Sequence, residues 1–103
     1  MLRRREPQDP DSLESARALD ERLIRDLRSV GIHDLRELRA IGTEGAWERL
    51  YLADLRDTLR DALAIEGAVR GIRKASMDPA ARERLANYIR RRTSPEVRRH
   101  DER

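Results

Sequence analysis

The 103-residue sequence contains no cysteine and no phenylalanine. Without cysteine the chain can form neither a disulfide nor a cysteine-ligated metal site, and it has no thiolate nucleophile. Because aromatic residues make up only 3% of the chain, the core has to be built mainly from leucine, isoleucine, valine and alanine. Trp47, Tyr51 and Tyr88 are its bulky members. This length and composition are typical of one small domain of packed helices.

Long apolar runs are also missing. No segment approaches the roughly 18 consecutive apolar residues of a membrane span. The N-terminal sequence M-L-R-R-R-E-P lacks the apolar centre of a signal peptide. We therefore expect a cytoplasmic protein with no membrane partner.

Catalytic motifs are equally scarce. The two histidines, His33 and His100, lie far apart in the sequence, and neither has metal-ligand spacing around it. No serine has a histidine partner in a nucleophile-elbow pattern, and no phosphate-binding G-x-x-x-x-G-K motif occurs. His33 is expected to be a surface turn residue.

Three aspartates have a spacing that would place them on one helix face. They are Asp54, Asp57 and Asp61. Arg56 and Arg60 interleave with them and no histidine is near, so the pattern favours a charged solvent-exposed face over a metal site. We expect no enzymatic activity, no cofactor, no metal and no small-molecule substrate.

Charged residues make up 42% of the chain, and the net charge is +3. Acidic and basic residues are equal in number within residues 12–89, whereas residues 90–103 hold twice as many arginines as acids. Interspersed charges of both signs are typical of solvated helix faces. A neutral body with a basic end lacks the broad basic face that drives non-specific DNA affinity.

Residues 27–50 organise the chain, because three of the five glycines fall there at points where helical patterns end. They are Gly31, Gly42 and Gly45. This punctuation predicts a helix end, a short helix, a tight turn and a new helix start. Residues 42–45 are called the hairpin turn below.

The short helix before the hairpin turn has clear start signals. Asp34 and Glu37 have the spacing of a capping box, which predicts a helix over residues 35–41. Thr43 is expected to cap the following helix, which begins near Glu44.

Across the hairpin turn the sequence reads L-x-x-I-G-x-x-x-A-x-x-x-L, the pattern of a helix-hairpin-helix motif. The residues of the pattern are Leu38, Ile41, Gly42, Ala46 and Leu50. In that motif the glycine turn lets two helices cross closely, and its free N–H groups can face a phosphate. A tight helix junction without a role in DNA binding is the alternative. Glu44 favours this alternative, since it stands where a phosphate would sit.

The remaining segments divide the chain into an arm, a domain and a tail. Residues 1–11 are polar and contain two prolines, so we expect a mobile arm. Apolar residues at three- and four-residue spacing predict one continuous helix over residues 11–30. We expect the helical domain to span residues 12–92 and a basic disordered tail to follow over residues 93–103.

Two further helix starts are predicted from capping signals. A boundary is expected within residues 54–58, where Asp54 or Asp57 can cap a new helix. The last helix is predicted to begin at Asp78-Pro79, a cap followed by a first-turn proline.

Glu66 and Gly67 are unusual members of the otherwise apolar stretch A-L-A-I-E-G-A-V. An unpaired buried acid is costly, so Glu66 is expected either to face water or to pair with an arginine such as Arg70. A glycine inside a helix costs about 0.5 to 1 kcal/mol relative to alanine. Gly67 is therefore expected to permit the close approach of another helix.

Three segments resemble the C-terminal domain of the TfoX family, also called Sxy, whose members are regulators linked to natural competence. The segments are V-G-I-H-D-L-R-E-L-R-A-I-G-T-E-G-A at residues 30–46, A-L-A-I-E-G-A-V-R-G-I at residues 62–72 and M-D-P-A-A-R-E-R-L at residues 77–85. Their order and spacing match over about residues 19–89. The resemblance implies a helical domain with a helix-hairpin-helix-like junction and a role in transcriptional regulation.

The sequence also departs from that family's pattern. Residues 18–23 read A-L-D-E-R-L where the family usually has a turn of the N-L-G-P-K-S type, and the loss of glycine and proline predicts helix there. Arg73 and Lys74 stand where a tryptophan is usual. The α/β N-terminal domain of full-length members has no counterpart in these 103 residues. Transcriptional activation as known for those members therefore does not transfer directly.

The sequence predicts an all-α fold, a compact bundle of four to five helices with a helix-hairpin-helix-like junction. Two functional hypotheses stay open. The first is a regulatory module that contacts the DNA backbone non-specifically. Its candidate phosphate-binding residues are Arg39, Gly42, Thr43, Gly45, Arg49, Arg90, Arg91 and Arg92. The second is a protein-interaction or homo-oligomerisation module without nucleic acid, in which the leftover apolar residues Tyr51, Leu52 and Leu55 face a partner.

Overall fold

The computed structural model describes residues 10–93 and contains five α-helices in that range. The helices are α1 (Glu21–Ser29), α2 (Leu35–Ile41), α3 (Thr43–Leu52), α4 (Leu59–Arg70) and α5 (Pro79–Thr93), with short 3₁₀ turns at Leu13–Ser15 and Lys74–Ser76. No strand forms in this range, where the single β-type pairing is a bridge between Ser12 and Asp34. The predicted all-α bundle is confirmed. The predicted arm and tail fall largely on residues 1–9 and 94–103, outside the described residues, and stay predictions.

Aliphatic side chains and the lone tryptophan fill the core. The largest fully buried side chains are Trp47, Leu13, Leu27, Ile32, Leu38, Leu50, Ile65 and Leu85. Trp47 stacks on Tyr51 with ring centroids 5.1 Å apart and meets the edge of Tyr88 at 6.0 Å. Its Nε1–H donates a 3.1 Å hydrogen bond to the Thr58 carbonyl. Trp47 on α3 therefore contacts α5 and the start of α4, which satisfies its polar atom as buried tryptophan requires.

The prediction of one continuous helix over residues 11–30 is wrong. A 3₁₀ turn at Leu13–Ser15 is followed by non-helical residues, and α1 begins only at Glu21. Asp20 has extended backbone angles and its carboxylate accepts a 2.8 Å hydrogen bond from the Leu23 N–H, so it caps α1. The helix starts here because an N-cap side chain satisfies a free N–H of the first turn.

The segment before α1 is held by contacts that a helix there would not make. Leu13 and Leu19 are both buried in the core from non-helical or 3₁₀ backbone. The Asp11 carbonyl accepts a 2.7 Å hydrogen bond from the Leu35 N–H at the start of α2. The expectation of helix over residues 18–23 is therefore wrong for residues 18–20, which form no helix although they include neither glycine nor proline.

Gly67 lies where two chain segments come close together. A Cβ atom added to it would stand 2.8 Å from the Ile72 carbonyl oxygen and 2.9 Å from the Ala18 Cβ. The predicted close approach is confirmed, but the neighbours are the loop before α1 and the backbone after α4, where we had expected another helix. The turn after α4 closes with an N–H bond from Ile72 to the Gly67 carbonyl at 2.9 Å.

The other helix ends follow the predicted positions with different capping details. The Asp34 carboxylate accepts from the Glu37 N–H at 2.9 Å, while Glu37 accepts from the N–H of His33 at 2.6 Å. The expected boundary before α4 is confirmed. The capping residue there is Thr58, whose hydroxyl accepts from the N–H three residues on, so the expectation of an aspartate cap is wrong. The start of the last helix at Pro79 is as predicted.

Candidate functional site

The hairpin turn joins α2 and α3 through a single non-helical residue, Gly42. Its φ of 87° lies in the region that glycine adopts without strain. The Gly42 N–H donates a 2.8 Å hydrogen bond to the Leu38 carbonyl and so closes α2. A Cβ added to Gly45 would stand 2.9 Å from Cγ2 of Ile41, so the small residue lets the two helices meet closely.

The first backbone N–H groups of α3 lie at the open end of the helix. Within residues 10–93, no acceptor is found for the N–H groups of Thr43, Glu44 and Gly45. Gly42 occupies the N-cap position and has no side chain that could accept from them. Free N–H groups at the N-terminus of a helix, together with the helix dipole, favour an anion.

Thr43 does not cap α3, contrary to the prediction. It is the first helical residue and is buried, and its hydroxyl donates a 2.6 Å hydrogen bond to Oε1 of Glu66 on α4. A hydroxyl one position inside the helix cannot take the N-cap geometry, and here it turns toward the core. The side chain of Thr43 is therefore committed to the interior, and only its backbone N–H is available at the hairpin turn.

Glu66 is a buried carboxylate with three partners. It is 6% exposed, and Oε1 accepts from Arg84 at 3.0 Å in addition to the hydroxyl of Thr43. Arg70 lies 3.7 Å from the other carboxylate oxygen and makes a closer 2.7 Å pair with Asp78. The predicted arginine pairing of Glu66 is confirmed. The nearest arginine is Arg84 on α5, which local sequence spacing did not indicate.

Arg84 connects the buried carboxylate to the hairpin turn. Its Nε donates a 3.1 Å hydrogen bond to Oε2 of Glu44, the acid on the hairpin turn. The hydrogen bond to Glu66 raises the pKa of Arg84 further above its usual value, so the guanidinium keeps its charge. Glu44, whose negative charge would repel a phosphate at this turn, is thus paired with the positive charge of Arg84.

Two of the predicted arginines are bound to helix ends. Arg39 lies one turn before Gly42, and its Nε donates a 3.4 Å hydrogen bond to the Val69 carbonyl at the end of α4. Arg49 donates a 3.0 Å hydrogen bond to the carbonyl of Val30, the residue that ends α1. Both side chains are exposed, and Arg39 is the closer of the two in sequence to the hairpin turn.

The run of three arginines lies further along α5. Arg92 donates a 2.8 Å hydrogen bond to Glu48, and Arg90 donates one of 2.7 Å to Asn87. Arg84 pairs with Glu44 and Arg92 with Glu48, so the ion pairs follow α3 and α5 in the same direction along the chain. At about 1.5 Å per helical residue, Arg92 is about 12 Å beyond Arg84. The run therefore extends away from the hairpin turn along α5.

Glu48 also accepts a hydrogen bond from the Tyr88 hydroxyl. Burial first, and then this bond to a carboxylate, raise the pKa of Tyr88 to about 12. Tyr88, whose ring edge meets Trp47, thus joins the core to the row of ion pairs between α3 and α5.

The described residues offer no metal site and no membrane span. No group of three or more histidine or acidic side chains within residues 10–93 is arranged to hold a metal ion. No helix in the same part of the chain is long and apolar enough to cross a membrane.

Comparison with curated proteins gives one relative with a partial match. The chain is 37% identical over 62 residues to Protein Sxy of Escherichia coli strain K12. That match covers 60% of this chain but only 30% of the relative. The similarity therefore concerns one part of a longer protein.

Solved structures share the fold over nearly their whole length. A crystal structure of an uncharacterized protein from Listeria monocytogenes, in a triclinic form, has a TM-score of 0.76 and 28% identity, and the match covers 80% of this chain and 93% of that one. A tetragonal form of a Listeria monocytogenes protein has a TM-score of 0.73 and 29% identity over 77% and 96% of the two chains. The family model described as the TfoX C-terminal domain matches residues 9–89. The resemblance seen in the sequence is confirmed, and the chain belongs to the TfoX C-terminal domain family.

Proposed function

We propose that this domain is a non-enzymatic regulatory module that binds the DNA backbone through its hairpin turn. One observation carries the proposal. Three consecutive N–H groups, those of Thr43, Glu44 and Gly45, have no acceptor within residues 10–93 and lie at the start of a ten-residue helix. Phosphate oxygens are the acceptors that such a group of donors commonly binds in nucleic acids.

The charges near the hairpin turn are compatible with a phosphate. Glu44 is neutralised by Arg84, and the exposed guanidinium of Arg39 lies one turn before Gly42. Because only a few cations stand near the turn, the binding is expected to be weak, independent of sequence and sensitive to salt. By its family resemblance, we assign the module to transcriptional regulation linked to natural competence.

Chemical-shift mapping tests this binding mode directly. A short DNA duplex added at low salt to the ¹⁵N-labelled chain is expected to shift the amide signals of Thr43, Glu44 and Gly45 more than those elsewhere. Binding that shifts mainly the amides of α5 would show that DNA contacts the basic run and would overturn the role of the hairpin turn.

A second candidate function is protein interaction or homo-oligomerisation without nucleic acid. The observation that favours it is the exposure of two large apolar side chains, Leu52 at 70% and Leu55 at 42%. Tyr51, which was grouped with them in the sequence, is half-buried against Trp47. Light scattering on the eluting protein measures whether the wild-type chain forms dimers that a Leu52→Ser variant does not form.

A further inference from the structure

A small exposed surface with two leucines and two aspartates lies where α3 ends and the loop to α4 begins. We call Leu52, Asp54, Leu55 and Asp57 the leucine patch. These residues line one open cleft together with Tyr51 and Arg56. Leu52 and Leu55 are the large hydrophobic side chains that are exposed within the described range. Paired exposed leucines on a small domain mark a candidate interaction surface.

The backbone of the patch is fixed by hydrogen bonds. The N–H of Leu55 donates to the Leu50 carbonyl at 2.9 Å, and that of Asp54 donates to the Tyr51 carbonyl at 3.0 Å. Asp54 adopts a φ of 63°, which lets the chain reverse direction directly after α3. A surface that is already ordered loses little conformational entropy on binding, so the entropic cost of binding a partner at the two leucines is small.

The charge of the patch is negative. Asp54 and Asp57 are exposed, and neither has an ion-pair partner within residues 10–93. Arg56, the cation that lines the same cleft, is bound to Asp26 at 2.8 Å and to Asp61 at 3.1 Å, so its charge is already balanced. The C-terminal end of α3 adds the negative end of a helix dipole. This surface repels a phosphate backbone and favours cations.

We infer that the leucine patch binds a protein segment that presents an apolar side chain beside arginine or lysine. The apolar side chain would cover Leu52 and Leu55, and the cation would pair with Asp54 or Asp57. The inference deepens the protein-interaction part of the second candidate function and rests on that part alone, whether or not the chain also binds DNA.

DNA binding and this docking can occur together. The hairpin turn and the leucine patch lie at opposite ends of α3, a helix of ten residues. At about 1.5 Å per residue, the two surfaces are about 15 Å apart. One end of the helix offers N–H groups to an anion, and the other end offers carboxylates to a cation.

A pair of matched peptides tests the inference on the full chain. The first peptide is an amphipathic helix with leucine and arginine on one face, and the second is identical except that each arginine is replaced by glutamate. The arginine peptide is expected to shift the amide signals of residues 52–57 in the ¹⁵N-labelled chain. The glutamate peptide is expected to bind about tenfold more weakly or not at all, because its charge meets that of the patch.

Variants at exposed positions complete the test. Leu52→Ser and Asp57→Asn are each expected to weaken binding of the arginine peptide several-fold. Glu83→Gln removes an exposed acid from α5 and is the control, which should leave binding of that peptide unchanged. Equal binding of both peptides, shifts that fall outside residues 52–57, or no binding at millimolar peptide would each overturn the inference. Dimerisation through Leu52 without peptide binding would also overturn it while leaving the second candidate function in place. Peptide binding is read from the amides of residues 52–57, whereas DNA binding is read from those of the hairpin turn. The two experiments can therefore fail independently.

Discussion

The hydroxyl of Thr43 donates a 2.6 Å hydrogen bond to the buried carboxylate of Glu66, and this bond ties the first residue of α3 to the middle of α4. Arg84 binds the same carboxylate oxygen at 3.0 Å and reaches Glu44 on the hairpin turn. The orientation of the hairpin turn is therefore set by a polar cluster inside the domain. Each member satisfies another, which is the condition under which buried polar groups are tolerated.

Removing the Thr43 hydroxyl should destabilise the fold. Thr43→Val keeps the shape of the side chain but leaves Glu66 with one fewer donor, and we expect a loss of about 1 to 3 kcal/mol in the free energy of unfolding. Urea denaturation measures this loss. Ser29→Ala, which removes an exposed hydroxyl from α1, is the control and should change stability by less than about 0.5 kcal/mol. Equal stability of Thr43→Val and wild type would contradict the role of this bond.

Arg84 and Glu66 should be energetically coupled. Arg84→Met removes the closest cation and one hydrogen-bond donor from the buried carboxylate of Glu66. We therefore expect it to lower the free energy of unfolding by about 1 to 3 kcal/mol. The double variant Arg84→Met with Glu66→Gln should cost less than the sum of the two single changes. A double-mutant cycle by thermal denaturation gives the coupling, and simple additivity would show that the two side chains act independently. Glu66→Gln that keeps the melting temperature but abolishes partner binding would assign Glu66 a binding role instead.

Gly67 and Gly45 should respond differently to alanine. At Gly67 the new Cβ would stand 2.8 Å from a backbone carbonyl and 2.9 Å from Ala18, neither of which can move easily. We therefore expect Gly67→Ala to cost about 1 to 3 kcal/mol despite the better helix propensity of alanine. At Gly45 the neighbour is a single side-chain methyl of the half-buried Ile41 and not backbone, so Gly45→Ala should cost less. The reverse order of stability in urea denaturation would contradict the packing described for Gly67.

Tyr88 should make the fold sensitive to high pH. Burial and the Glu48 carboxylate raise the pKa of the Tyr88 phenol to about 12, whereas an unfolded tyrosine ionises near about 10. The contribution of Tyr88 is therefore complete below about pH 10 and is lost as the pH rises toward the folded value. Free energies of unfolding measured from about pH 9 to pH 11 should fall more steeply for the wild type than for Tyr88→Phe. Parallel profiles would show that Tyr88 ionises alike in both states.

Much of the fold could be predicted because its signals are local. Asp34 and Glu37, the glycine at position 42 and the pair Asp78-Pro79 each act on backbone within one turn, so sequence spacing alone located α2, the hairpin turn and the start of α5. The prediction for the segment before α1 is wrong because Leu13, Ala16 and Leu19 recur every three residues as in a helix, although 3₁₀ and non-helical backbone buries the two leucines.

The polar cluster beneath the hairpin turn could be predicted only in part. The sequence indicated that Glu66 either faces water or pairs with an arginine such as Arg70, four residues away. Arg84 is supplied by α5, and the Thr43 hydroxyl by α3, so both contacts depend on how three helices pack. Sequence spacing carries no information about such long-range pairs. The distance between the arginine run of α5 and the hairpin turn also depends on long-range contacts, namely the ion pairs between α3 and α5, so sequence spacing could not predict it.

The measurement that tests the central claim most directly is fluorescence anisotropy of a labelled DNA duplex titrated with the full chain at low salt. We predict binding at tens of micromolar that weakens as salt is added, because phosphate contacts release counterions. Arg39→Ala should weaken binding and lower the slope of affinity against salt by about one, whereas Arg25→Ala, the same charge change on α1, should have a smaller effect. Absence of binding at tens of micromolar, or equal losses in the two variants, would contradict a DNA-binding hairpin turn.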